Sequence, residues 1–547
     1  MQLLNRNLIV KSPPDHLGGQ GKGRLKLLLI LCACIVIVGS FARFVSLDHK
    51  IFFCDEFNTS LEIAGQGCAP DLFNGPHRVS QISRYQQLQP AKELRDTLRD
   101  IRYNEPFMPP LYDVLGRFWA QRFGADITSL RMFSACISLL EIPCMYFLCL
   151  ELFGSMSIAL PILALYMVSP VGLQLAQYAR PYSLWTVLTM LSSALLLRGL
   201  RRGDRRTWIT YSLSIALSLY CHISALRVLF GHALHVALNN RNYKNGIARP
   251  VAPFVAATVF ALVLFIPWAI QIINHLPPGF RSAEWFAQHL PILEQVGGTF
   301  DLFAKVFCDC RHLAPSLQNL FAPLVVLAEV ASAVCLVRTA PRPAVFFLGT
   351  LFVATLISLA LPDIIYGGNL STMDRYMMPT FLSIQCAVGY AVACALQSKR
   401  AAVARSGWLV FVGLIALGIF SCSSVLNART FWGYAAVDEL KTARFLNQFS
   451  HPVLLGSQQP EGFTGVLLSI ASASNPGTVL AFSPGNDLAP VPAGYDDQIF
   501  VWKPTGEQVE LLRADRRFDL QHIEQLPCLW RLVPSRVRTG ANTASQR

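Results

Sequence analysis

Uncharged apolar runs follow one another from Leu27 to Ser424, and they decide what this chain can fold into. A run of about 20 such residues, as a helix, spans the hydrocarbon core of a bilayer. In water it would have no polar face to present. Charge is too scarce for another reading: 14% of the 547 residues are charged and 53% are hydrophobic, where globular chains carry about 25% charged. The same numbers exclude disorder. Fifteen Cys in this length are too sparse for a disulfide scaffold. The sequence therefore predicts a polytopic α-helical membrane protein. The net charge of +13 does not point to a nucleic-acid partner, because Lys and Arg sit in short runs between apolar stretches rather than on one folded face.

The first run, 27–45, follows Arg6, Lys11, Lys22, Arg24 and Lys26. It is longer than a signal-peptide core and ends in FARFVSLDHK rather than at a small-residue cleavage site. It reads as a first transmembrane helix behind a cytoplasmic segment, 1–26. Residues 47–128 then form a large outer loop. Further runs lie at 130–153, 158–175, 184–197, 208–238, 251–273, 321–337, 345–361, 376–396 and 408–424. The basic loops at 198–206, 241–249, 338–342 and 399–405 all belong in the cytoplasm. That requires 208–238 to cross twice, as two helices of about 15 residues broken near Cys221-His222. About eleven crossings result. Residues 106–123 read PFMPPLYDVLGRFWAQRF; Asp113, Arg117 and Arg122 make this an amphipathic helix for the outer membrane surface rather than a span. After 426 charges return, and the apolar runs PVLLG, GVLLSIA, TVLAF, QIFVWK and LPCLWRLV shorten to strand length. The expected plan is a transmembrane domain, 27–425, and a small extracytoplasmic C-terminal α/β domain, 426–547.

Five groups of residues can carry chemistry, each with a bland alternative. Asp55 and Glu56 follow the first helix; a carboxylate pair there can act as general base or hold a divalent cation, or simply begin a helix. Glu105 precedes Pro106 and the PPLYD segment, where an acid also suits a helix entry. Arg180 and Tyr182 lie in QYARPYS, which suits an anionic headgroup or an interfacial anchor. His222 can bind phosphate or shuttle a proton, or be a hydrogen-bonded core histidine. Arg375, in Asp374-Arg375-Tyr376, can reach a phosphate or anchor a helix end. One topology puts all five on the outer side. A phosphate-bearing lipid and a hydroxyl or amine acceptor need such a set.

At these residues the sequence resembles the C-type superfamily of integral-membrane glycosyltransferases. It is most similar to bacterial relatives of protein O-mannosyltransferases and of the lipid A aminoarabinose transferase. The resemblance is carried, over about 27–397, by the Asp55-Glu56 pair, Glu105 with PPLYD and FG at 123–124, Leu130-Arg131, QYARPYS, LYCH at 219–222, IPWAI at 266–270 and RYMMP at 375–379. It implies a donor sugar on polyprenyl phosphate, used at the outer face of a bacterial inner membrane. Asp55 would deprotonate the acceptor, with Glu56 and Glu105 in the same acidic set. Arg180, Tyr182, His222 and Arg375 would hold the lipid phosphate. The outcome implied is inversion, with the sugar (a hexose or a pentose) and the acceptor (lipid, polysaccharide or protein) undefined. Some relatives carry an acid where this chain has Arg180, which weakens a metal bridge between two outer acids. No cofactor is required, although a divalent cation fits the chemistry. Cys54 with Cys68, and Cys308 with Cys310, are either disulfides or free thiols. The competing readings are a membrane transporter, against which the absence of paired halves argues, and a non-catalytic protein that binds a lipid-linked glycan.

Overall fold

The apolar runs are helical in the computed structural model, which describes residues 19–67, 75–239, 251–275, 290–309, 315–431, 436–457, 463–483, 487–492, 498–514 and 517–535. Seven helices are long and apolar enough to cross a bilayer: Ile127–Phe153, Tyr182–Arg202, Val251–Asn274, Leu320–Thr339, Arg342–Tyr366, Met378–Leu396 and Ala401–Asn427. Met156–Met167 and Pro170–Ala176 form a pair bent by 64° that makes an eighth. The other expected crossings are Gly19–Ala42, whose apolar part is Lys26–Ala42, and the shorter helices Arg205–Cys221 and Ala225–Asn239. The last two meet at a break on His222, whose backbone is extended (φ −157°, ψ 133°). Leu111–Phe123 is a helix, as expected. The helix Ile292–Ala304 was not foreseen. Both proposed cysteine pairs include a residue, Cys68 or Cys310, outside the described residues.

The chain forms two units. The first takes residues 1–49, 101–119 and 127–428. Its bent pair has a local cause: a residue before proline avoids helical backbone, so the helix stops at Met167, Ser169 is extended, and Pro170 opens the next helix. The break leaves carbonyls without helical partners. Cys422 donates its Sγ–H to that of Val168, at 3.3 Å. Two glycines let neighbouring helices reach the same spot. A Cβ at Gly39 would lie 2.5 Å from the Met167 carbonyl, and one at Gly418 would lie 2.7 Å from the Val168 carbonyl. Buried charge is matched in the same bundle: Arg43 pairs with Glu141 at 3.2 Å, and Tyr166 donates its hydroxyl to that carboxylate at 2.7 Å.

The second unit joins 50–100 and 120–126 to 429–547. Its sheet holds β1 Gly75–Arg78, β2 Val453–Ser457, β3 Val479–Ser483, β4 Ile499–Trp502, β5 Phe518–His522 and β6 Leu529–Pro534, in the order β1-β3-β2-β4-β6-β5. Strands β3, β2 and β4 run parallel, with Val453 opposite both Val479 and Ile499; the outer pairings are antiparallel. Parallel neighbours need a crossover. The expected strand GVLLSIA is therefore not a strand but part of the helix Phe463–Ser472, which buries Leu467, Leu468, Ile470 and Ala471. Val453, Leu455, Val479, Ile499, Val501 and Leu532 form the core of the sheet.

The glycine contacts generate a prediction. Gly39→Ala should destabilise the protein in detergent by about 1–3 kcal/mol, the usual cost of overpacking against an immovable group. Gly413→Ala, whose new Cβ would meet nothing within 4 Å, should not lower the unfolding temperature. Equal melting curves for the two variants would refute the close-contact account.

Candidate functional site

The site in the first unit begins with the QYARPYS turn. Gln177 donates from Nε2 to the carbonyl of Val45, at 2.8 Å, just past the end of the first helix. This ties the turn to the chain leaving that helix, where carbonyls lack helical donors. Arg180 follows, 5% exposed. Its Nη2 meets the Glu105 carboxylate at 3.0 Å. Glu105 stands at the entry to the PPLYD segment, whose Pro106 carbonyl accepts from the Trp268 indole at 3.2 Å. The motifs around 105, 180 and 268 are thus brought together, though more than 70 residues separate each from the next.

Asp113, one turn further on, is 4% exposed. Burial pushes its carboxyl up to about 7, against the pull of Arg180 and with the push of Glu105. Its charge also reaches the Cys221 thiol, next to His222. The sequence reading used Asp113 to argue against a span and included it in the PPLYD match, but gave it no role in the site.

Tyr178 and Tyr182 stack with centroids 5.7 Å apart. Tyr182 approaches the His222 ring at 5.5 Å, Trp185 stacks on it at 5.2 Å, and Tyr376 lies 6.1 Å away. The guanidinium carbons of Arg375 and Arg227 lie 5.2 and 5.9 Å from the Tyr376 ring centroid. Arg227, Arg180 and Arg375 are the three charges that bear on His222. His222 Nδ1 accepts from the Ser224 backbone N–H at 3.0 Å, so the ring is unprotonated there and carries its hydrogen on Nε2. That Nε2 is buried and has no hydrogen-bond partner among the described residues. A buried donor left unmatched beside three cations is a group set for an anion. Arg227 was missed from sequence; the only available signal was an isolated Arg in the apolar stretch after His222.

Arg375 is set by its own turn. Asp374 accepts from the Arg375 backbone N–H at 2.7 Å and from Gln174 Nε2 at 2.6 Å. Asp363 takes the N–H groups of Leu370 and Ser371. The unforeseen helix Ile292–Ala304 holds Ser371 through Gln295 and Thr299.

Asp55 and Glu56 belong to the second unit. They open the helix Cys54–Ala64. Glu56 is fully buried and accepts from the Phe53 backbone N–H at 3.1 Å, a capping contact. Asp55 is half-buried in the same turn. Among the described residues no three His, Cys, Asp or Glu are grouped as a metal site needs, so no step below is routed through a cation.

Residues 108–270 match the profile of the dolichyl-phosphate-mannose-protein mannosyltransferase family. That stretch contains Asp113, Arg180, Tyr182, His222 and Arg227. The whole chain is similar in structure to ArnT from Cupriavidus metallidurans. The apo form aligns with a TM-score of 0.53 and 12% identity over 92% of this chain and 97% of that one. The form bound to undecaprenyl phosphate aligns at 0.50, with the same identity and coverage. The fold is that of a C-type membrane glycosyltransferase. The chain matches none of the curated proteins.

In this C-type fold, Glu105 and Asp113 share one cation, and that generates a prediction. Glu105→Gln removes a charge that opposes the ionisation of Asp113, whose carboxyl burial holds at about 7, so at pH 7.5 Asp113 is the carboxylate left to pair with Arg180. Asp113→Asn leaves the Glu105 pair in place. The double variant leaves Arg180 with neither carboxylate. Its loss of stability should exceed the sum of the single losses by about 1–3 kcal/mol, measured by thermal unfolding at pH 7.5. Additive losses would show that the two acids act independently.

Proposed function

We propose that this protein moves a sugar from a polyprenyl-phosphate donor to an acceptor at the outer face of a bacterial inner membrane. The observation that carries the reading is the buried His222 Nε2–H, unmatched among the described residues, with the guanidinium groups of Arg227 and Arg375 over the neighbouring Tyr376 ring. The fold it shares with a protein that has been crystallised with undecaprenyl phosphate supports the lipid part of the donor.

The chemistry is a single displacement. The acceptor hydroxyl gives its proton to the Asp55 carboxylate, and its oxygen forms a bond to the anomeric carbon. The bond from that carbon to the phosphate oxygen breaks, and the electron pair leaves with polyprenyl phosphate. The anomeric centre inverts. The leaving group gains negative charge at the phosphate, where preorganised donors lower the barrier most. Arg180, Arg375 and Arg227 supply that charge, and the His222 Nε2–H supplies a neutral hydrogen bond. Tyr178, Tyr182 and Trp185 exclude water and raise the strength of each interaction. Glu105 holds Arg180 in place. Glu56 holds the turn that carries Asp55. The acceptor is a membrane lipid, a polysaccharide or a protein.

A transfer assay in membranes, with radiolabelled sugar on polyprenyl phosphate, tests this. Asp55→Asn should remove transfer at least a hundredfold at equal expression, a typical loss for a general base. Arg180→Ala should raise the donor KM. Retained transfer in Asp55→Asn would overturn the base assignment. Labelled solute crossing the membrane with no transfer would overturn the class.

The pH dependence follows from Asp113. Its carboxyl is raised to about 7. Below that pH it is neutral, and Arg180 is shared with Glu105 alone. Above it a second anion competes with the donor phosphate. Donor KM should therefore rise about fivefold between pH 6 and pH 8, the ratio that about 1 kcal/mol of added repulsion produces. In Asp113→Asn the KM should be flat over that range. A wild-type KM that falls with pH would contradict the assignment.

A further inference from the structure

The second unit contains a connection between its C-terminal part and the Asp55 turn. The chain enters that turn through Lys50–Phe53, and C-terminal residues grip it at three successive positions. Lys50 Nζ lies over the Phe431 ring at 5.6 Å. Ile51 donates its backbone N–H to the Arg429 carbonyl at 2.9 Å. Ser469 donates its hydroxyl to the Phe52 carbonyl at 2.7 Å. The next residue, Phe53, donates its N–H to Glu56, and the helix begins at Cys54. Ser469 and Phe52 are each 1% exposed, so water does not compete for this bond. Ser469 is carried by the helix Phe463–Ser472, the crossover between β2 and β3. The sheet itself takes an edge strand from the outer loop: β1 pairs antiparallel with β3, Gly75 opposite Phe482. Residues 50–100 of the outer loop and the C-terminal chain therefore belong to one folded unit.

We propose that Ser469 is a positioning residue for transfer: its hydroxyl fixes the Phe52 carbonyl and so sets where the first turn of Cys54–Ala64, with Asp55, stands. This rests on the reading of Asp55 as the base. The bond reaches the turn from a residue more than 400 positions away, and it makes the C-terminal fold part of the catalytic apparatus. A misplacement of about 1 Å at a base costs rate without costing donor binding, which separates positioning from stability.

The test compares full-length Ser469→Ala, Ser469→Thr and Asp55→Asn with wild type in one transfer assay, with hydrogen exchange read at the amides of 54–58. Ser469→Ala should lower kcat about tenfold with donor KM within twofold, and should speed exchange at 54–58 while leaving β2–β4 protected. Ser469→Thr, which keeps the hydroxyl, should restore kcat to within threefold of wild type. If Asp55→Asn is inactive while Ser469→Ala has wild-type kcat, the positioning role is wrong and the base reading stands. If Asp55→Asn is active, the base reading fails and the proposal fails with it. Faster exchange throughout β2–β4 in Ser469→Ala would make the residue a general stabiliser and would also overturn it.

Discussion

The ion pair between Arg180 and Glu105 is the interaction on which the rest of the first unit's site depends. A guanidinium 5% exposed cannot stand without an anion, because the desolvation of a lone charge costs several kcal/mol. Glu105 supplies the anion, and doing so fixes the PPLYD segment against the QYARPYS turn. Two further anchors make that fixation rigid: Trp268 on Pro106 and Gln177 on Val45. What the pair leaves over is the chemistry. The charge of Arg180 also acts on His222, together with those of Arg227 and Arg375.

The neutral state of His222 follows from the same arrangement. Burial disfavours the imidazolium first, and the charges of Arg227, Arg180 and Arg375 add to that. The Ser224 N–H settles the tautomer by occupying Nδ1. The ring is left as a donor without a charge. A neutral donor can follow a phosphate from its ester to its free form without binding the product too tightly, which a fourth cation would do. The aromatic rings of Tyr182, Trp185 and Tyr376 pack around it and set its orientation without adding charge.

The helices of the first unit were legible in the sequence because their signals are local. An apolar run declares a helix, and basic loops fix parity; the break at His222 followed from those two rules alone. The turn at Arg180 is also local, whereas the bend before Pro170 lies inside what reads as one run, 158–175. What could not be read is what depends on long-range pairing. Asp113 becomes a site residue only because 105 and 180 meet beside it. Arg227 gains a role only when its helix turns back towards 376. The run GVLLSIA has strand length and strand composition, yet it is a crossover helix because β2 and β3 are parallel. β1, with the sequence GPHR, has no strand signal at all and exists because β3 offers an edge.

That edge strand changes how the second unit is understood. In sequence, residues 47–128 and 426–547 are an outer loop and a tail, with 297 residues between them. In the fold, residues 50–100 and the tail share one sheet and the three contacts at 50–52. Closing so long a loop is costly in entropy, but the cost grows only with the logarithm of length, and the membrane helices between the two segments are ordered in any case. Once the bundle has formed, pairing the two outer segments adds little further loss. The first turn of Cys54–Ala64 is then held from one side by its own cap, Glu56, and from the other by the C-terminal chain. A carboxylate at the end of an unsupported loop would sample many positions. One on a turn fixed at the backbone of 51, 52 and 53 is confined to a few, and that confinement is what a proton acceptor in a displacement reaction requires.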